Sequence, residues 1–199
     1  MKPSILKFLL DHALKDQLED EDIFNEWINS KTAKEKFTPL HFASFKGDLK
    51  SCQILVEFGA NHKATNAFGL SMLHVATQGD AANTLYYFYK LGLDINKQDY
   101  RGSTPLHWAC FSQSEVALTF LVQWNPDMAI QDNQGQTPLH LAIKSSEHVQ
   151  STRSVRYLLV KNSPSDIPND NGDLPVDLLR DVNSQEIQLE LRDMLVRIK

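Results

Sequence analysis

Asp99-Tyr100-Arg101-Gly102-Ser103-Thr104-Pro105-Leu106-His107-Trp108-Ala109 is answered by Asp132-Asn133-Gln134-Gly135-Gln136-Thr137-Pro138-Leu139-His140-Leu141-Ala142. The two phrases stand 33 residues apart and share Asp, Gly, the run Thr-Pro-Leu-His, and Ala in matching places. The same step toward the N-terminus meets Thr38-Pro39-Leu40-His41-Phe42-Ala43 and the weaker Ser71-Met72-Leu73-His74-Val75-Ala76. Four copies in one register are the mark of stacked units that fold alike and bury their apolar faces against each other.

Each word has a physical reason. Thr before Pro suits a helix start: the hydroxyl caps free N–H groups, and Pro at the first helical position gives up a donor that had no partner. Leu40 and Ala43 should face neighbouring helices, the Ala small enough to let them approach. A second helix then follows and ends at Gly59 or Gly92, with Asn125 and Asn162 as the later substitutes in a left-handed position. Gly69, Gly102, Gly135 and Gly172 precede the Thr position by two, at a hairpin tip that needs positive φ. The second unit departs from the pattern, with Ser71-Met72 for Thr-Pro and Gly79 one place early. Its outer helix crowds Tyr86, Tyr87, Phe88 and Tyr89, and four successive helical positions cannot all face one core.

The last copy, Leu174-Pro175-Val176-Asp177-Leu178, arrives after 37 residues. The surplus falls within Ser145–Val155 and is expected to lengthen the loop between two helices. The expected division is a helical cap or degenerate repeat over 1–33, then units at 34–66, 67–99, 100–132 and 133–169, and a fifth unit with a cap helix over 170–199. In the first segment Ile5, Leu6, Leu9, Leu10, Ala13 and Leu14 predict a helix over 4–16. Ile23, Phe24, Trp27 and Ile28 predict a second stripe, with Asp20 or Asp22 as its cap. From Ser184, Ile187, Leu191, Leu195 and Ile198 form the final one.

Composition narrows the function classes. The 199 residues are 42% hydrophobic and 23% charged, with a formal net charge of −5. A packed core is expected, and nothing offers the basic stripe that nucleic acid requires. Cys52 and Cys110 show no paired spacing, which points to a reducing compartment rather than a disulfide or zinc framework. No apolar run is long enough to cross a bilayer, and the start lacks a cleavage site for a signal peptide. The expected location is the cytoplasm, with no direct membrane insertion.

Four histidines at one period invite a metal assignment. Equivalent positions in a helix stack lie roughly 10 Å apart, whereas zinc sits about 2 Å from each ligand. The expected role is structural, with each imidazole bonded to the Thr hydroxyl or to the backbone of the neighbouring hairpin. A phosphate loop, a nucleophile elbow and a His-Glu-x-x-His pair are all missing from the sequence. Cys110 is expected to be a small buried thiol, and Cys52 an outer-helix one. No catalytic residue, cofactor, metal or small-molecule substrate is therefore expected.

What the fold does not use is surface. By register, the tips carry Ala67, Phe68 and Leu70, then Tyr100, Arg101 and Ser103, then Asn133, Gln134 and Gln136. The free side of the inner helices carries Phe45, Lys46, Gln78, Phe111, Ser112, Lys144 and Ser145, and the residue after each His adds Phe42, Val75, Trp108 and Leu141. Aromatics and Arg dominate interface energetics. The candidate partner-binding set is Phe45, Phe68, Gln78, Tyr100, Arg101, Trp108, Phe111 and Lys144. Trp108 and Phe42 could equally fill the seam between successive helices.

With these words in place, residues 34–180 resemble ankyrin repeats. The resemblance implies an all-α solenoid of about five helix-turn-helix units with β-hairpin-like tips and helical caps. It also implies a non-catalytic adaptor that binds a protein or peptide in a concave groove. A narrower likeness covers 99–195. Gly102-Ser103-Thr104-Pro105-Leu106-His107-Trp108-Ala109-Cys110, the pair Trp124-Asn125 and the stretch Lys144 to Leu159 look like the ankyrin section of DHHC-type palmitoyltransferases. That would imply substrate recruitment at the cytosolic face of a membrane, although Asp-His-His-Cys is not in this sequence. A third expectation is a structural subunit of a large assembly, held through Tyr86, Tyr87 and Tyr89.

Overall fold

The computed structural model describes residues 21–196. The helix expected over 4–16, Asp20 as a cap, and Ile198 lie outside the described residues. The chain forms two compact units, one ending at Leu93 and the other beginning at Asp94. The first contains α1 (Glu21–Ile28), α2 (Pro39–Phe45), α3 (Leu49–Glu57), α4 (Met72–Gln78) and α5 (Ala82–Lys90). The second contains α6 (Pro105–Ser112), α7 (Glu115–Gln123), α8 (Pro138–Val149), α9 (Arg153–Val160), a 3-10 helix (Pro175–Asp181) and α10 (Gln185–Val196). There is no strand among the described residues.

Helices of seven to nine residues are too short to persist alone in water, so caps and packing must hold them. Thr38, Ser71, Thr104 and Thr137 take extended N-cap conformations, as the repeated phrase predicts. The histidine three residues on closes each cap from the other side. Its Nδ1 accepts the cap residue's backbone N–H at 3.1 Å and lies 2.8 Å from the cap hydroxyl in all four copies. In the last copy Asp177 replaces His and does the same task, its Oδ2 accepting the Leu174 N–H at 2.8 Å. Leu40, Leu73, Leu106 and Leu139 are buried where inner helices meet, α2 on α4 and α6 on α8.

The tips are hairpin turns closed by a carboxylate or amide. Asn66, Asp99, Asp132 and Asn169 each accept, through Oδ1, the N–H groups two and four residues ahead. Neighbouring tips are joined by one backbone bond instead of a strand ladder: Ala67 to Glu35 and Asn133 to Arg101 at 2.8 Å, Asp170 to Gln134 at 3.2 Å. Gln98 and Gln131, one period apart, add a clip. Gln98 Nε2 donates to the Gly102 carbonyl at 2.7 Å, and Gln131 Nε2 to the Gly135 carbonyl at 2.6 Å. In the first tip the left-handed place falls on Lys36 (φ 58°), which the sequence pattern of glycines did not reveal.

Two expectations are corrected, and a third gains its physical reason. The four surplus residues do not lengthen a loop. They form the added turn Ser146–Val149 of α8, which has 12 residues where α6 has 8. Four residues are close to one turn of 3.6, so the helix absorbs them with little rotation of its buried face. Gln150 (φ 51°) then ends α8 as Gln113 (φ 56°) ends α6. Gly79 does stand one place before the left-handed site, as its register predicts. Asp80 (φ 48°) holds that place, and Gly79 (φ −82°) is needed for space, because a Cβ there would lie 2.0 Å from the Phe45 carbonyl oxygen. The second correction is that Trp27 leaves the apolar stripe: Phe24 and Ile28 are buried, while Trp27 is 52% exposed. Among the crowded outer-helix rings, Phe88 is fully buried and Tyr86 exposed.

Candidate functional site

The second unit carries a groove on the side of α6 and α8 that faces their tips. One hollow of about 340 Å³ is lined by Arg101, Ser103, His107, Trp108, Phe111, Asp132, Asn133, Gln134 and Leu141. A second, of about 510 Å³, is lined by Phe111, Gln134, Gln136, Leu141, Lys144, Ser145, His148 and Val149. Phe111, Gln134 and Leu141 belong to both, so the hollows adjoin across a saddle in which Phe111 and Leu141 supply the apolar surface.

The tip positions one wall. Asp99 is buried and holds Arg101 N–H and Ser103 N–H through Oδ1, at 2.8 and 2.9 Å. Its Oδ2 accepts the Trp108 indole N–H at 2.9 Å. The indole is thereby fixed by the hairpin that also orients Arg101, and its ring meets Phe111 edge-on at 6.1 Å. Trp108 is half-buried: it fills the seam and lines the groove at once. In the next unit Leu141 stands where Trp108 stands, and Asp132 has no indole to hold.

Of the expected set, Tyr100 (71% exposed), Arg101, Phe111 (63% exposed) and Lys144 are open to solvent on the second unit. Arg101, Trp108, Phe111 and Lys144 line the groove; Tyr100 sits on the adjoining tip, its carbonyl accepting Asn133 Nδ2 at 2.9 Å. Phe45, Phe68 and Gln78 belong to the first unit, where Phe45 and Phe68 are exposed and Gln78 half-buried. Lys46 Nζ lies 5.8 Å from the centre of the Phe45 ring. Four surface positions expected from register are buried instead: Leu70, Val75, Gln136 and Ser145. Ser145 donates to the Cys110 carbonyl at 2.8 Å and so ties α8 to α6. His148 and Val149 were missed because they stand on the added turn of α8, which a loop reading hides.

The buried histidines are committed. Because the cap N–H can only donate, Nδ1 must accept, and the proton resides on Nε2. His107 Nε2 donates to the Gln136 carbonyl at 3.0 Å and His140 Nε2 to the Asp173 carbonyl at 3.1 Å. Neither ring keeps a lone pair for another ligand. For His41 the Leu70 carbonyl takes the corresponding place outside hydrogen-bond geometry. Burial lowers the pKa of His41 to about 4, and it lowers those of His107 and His140 as well. Both thiols are buried; desolvation pushes Cys52 up to about 12 and Cys110 up too, so the thiolate is suppressed. Among the described residues, no cluster of three His, Cys, Asp or Glu is arranged to hold a metal, and no helix is long and apolar enough to cross a membrane. The groove can stack, bury apolar surface and offer charge.

These features define a repeat protein, and comparison with known sequences supplies the family. The family model for ankyrin repeats (3 copies) matches residues 2–99 and 73–171. The chain belongs to the ankyrin-repeat family. It is 36% identical over 85 residues to ankyrin repeat domain-containing protein 53 of Homo sapiens, covering 39% of this chain and 16% of that protein. It is 29% identical over 96 residues to palmitoyltransferase AKR1 of Lachancea kluyveri, covering 45% of this chain and 13% of that one. The chain thus matches less than a fifth of the length of either relative. Ankyrin repeats are in general non-catalytic protein-interaction domains.

Proposed function

We propose that this chain is a non-catalytic adaptor that holds a protein or peptide segment in the groove of α6 and α8. One observation carries the reading: Phe111 and Tyr100 are held open to solvent beside a Trp108 that the hairpin fixes in place. Large exposed aromatics around a shaped hollow are costly to leave in water and are typical anchors of an interface. Arg101 and Lys144 flank them, and Phe45, Phe68 and Gln78 offer a further contact surface on the first unit.

The test is proximity labelling of the chain in its source cell, compared with the double variant Tyr100→Ser plus Phe111→Ser. Both residues are exposed, so the melting temperature should stay unchanged while a defined set of labelled proteins disappears. An identical set for both chains would remove the groove from consideration. If the retained partners instead cross-link to Tyr86, a fixed role through the outer helices takes its place.

A second reading follows from the likeness to palmitoyltransferase AKR1. In it, the same groove presents a substrate to an acyl-transferring domain. Co-expression with such a domain, scored by acyl-biotin exchange on the labelled partners, decides it. No change in their acylation on Phe111→Ser would dismiss this reading and leave the adaptor reading intact.

A further inference from the structure

We infer that the segment seated in this groove carries a bulky apolar residue flanked on both sides by Asp or Glu. The inference rests on the groove reading above and adds the chemistry of the occupant. The apolar saddle shared by the two hollows, Phe111 with Leu141, lies in the middle. Each end has its own cation: Arg101 in one hollow, Lys144 in the other. Both are exposed, and among the described residues neither is in an ion pair.

The acid within the lining does not cancel them. Asp132 Oδ1 accepts the N–H groups of Gln134 and Gln136, each at 2.9 Å, so that carboxylate is held against its own hairpin and not against either cation. In a chain of net charge −5, each hollow therefore still presents an exposed cation that its acids do not pair. Complementary potential of this kind selects partners and speeds encounter. Arg101 can take a carboxylate in the two-point geometry of guanidinium, and Lys144 takes one as a point charge. The ends are thus polar and positive, the centre apolar, and an acid–apolar–acid segment meets all three.

The test is selection of a random peptide display library on the intact 199-residue chain at low salt. The expected pool is enriched in Leu, Ile, Phe or Trp with Asp or Glu on either side, and its binding is lost on Phe111→Ser. A synthetic peptide from that pool should lose about tenfold in affinity with Arg101→Glu or with Lys144→Glu, and the double reversal should select Lys and Arg flanks instead. A pool that needs Phe111 yet carries neutral or basic flanks overturns this inference and leaves the groove reading standing. A pool indifferent to Phe111→Ser, or no enrichment at all, overturns both.

Discussion

The cap histidines convert a local hydrogen bond into a pH response of the whole chain. Desolvation is the main reason the pKa values of His41, His107 and His140 fall, and the N–H donated to each Nδ1 leaves no room for a second proton. A lowered folded pKa means that the unfolded chain binds more protons between the two values. Stability is then complete above the unfolded value of 6.5 and is lost as pH falls toward the folded one, about 4 for His41. The slope approaches about 1.4 kcal/mol per pH unit for each histidine that titrates. Urea denaturation between pH 7 and 5 should show this loss, and His41→Gln should reduce the slope. A flat profile would contradict it. Gly79 makes a separate residue-scale demand. Since its Cβ would strike the Phe45 carbonyl at 2.0 Å, Gly79→Ala should force α2 and α4 apart and cost about 1–3 kcal/mol by thermal melting. A change below about 0.5 kcal/mol, the scale of ordinary surface substitutions, would show that the backbone yields freely.

At the scale of elements, the added turn of α8 is what distinguishes the fourth inner helix from the others. Its residues do three things: Ser146 is buried, Glu147 accepts the Asn183 N–H at 3.1 Å, and His148 with Val149 extends the groove wall. A loop would tolerate proline at position 148, whereas a helix would lose a hydrogen bond and suffer a clash one turn back. His148→Pro should therefore cost about 3 kcal/mol in chemical denaturation. A cost near zero would return this stretch to the loop that the sequence suggested. The same reasoning explains why periodicity alone misplaced the insertion. A surplus of four residues preserves helical register almost as well as it extends a loop, and local composition does not separate the two.

At the scale of the molecule, the inner helices gain stability from their neighbours, because each is too short to be stable by itself. Leu139, fully buried on α8, should cost about 2–5 kcal/mol when replaced by Ala. Hydrogen exchange should show the protection lost first in α6, α8 and α9, the helices packed together there. Uniform loss along the chain would mean that cooperativity overrides the repeat. The period, the Thr-to-His caps and most left-handed positions were readable in advance, because each depends on residues within a few places along the chain. Tyr100, Arg101, Phe111 and Lys144 were readable as surface for the same reason: the repeated scaffold has no use for them. Leu70, Val75, Gln136 and Ser145 shared that register and were nonetheless covered. So the amino-acid order alone determined the repeated backbone and the list of side chains it leaves unused. Only the tertiary arrangement decided which of those are buried, that Trp108 is pinned by Asp99, and that α8 runs on to His148 and Val149. Burial depends on atoms supplied by residues some thirty or more positions away, and a local pattern carries no record of where those atoms come to rest.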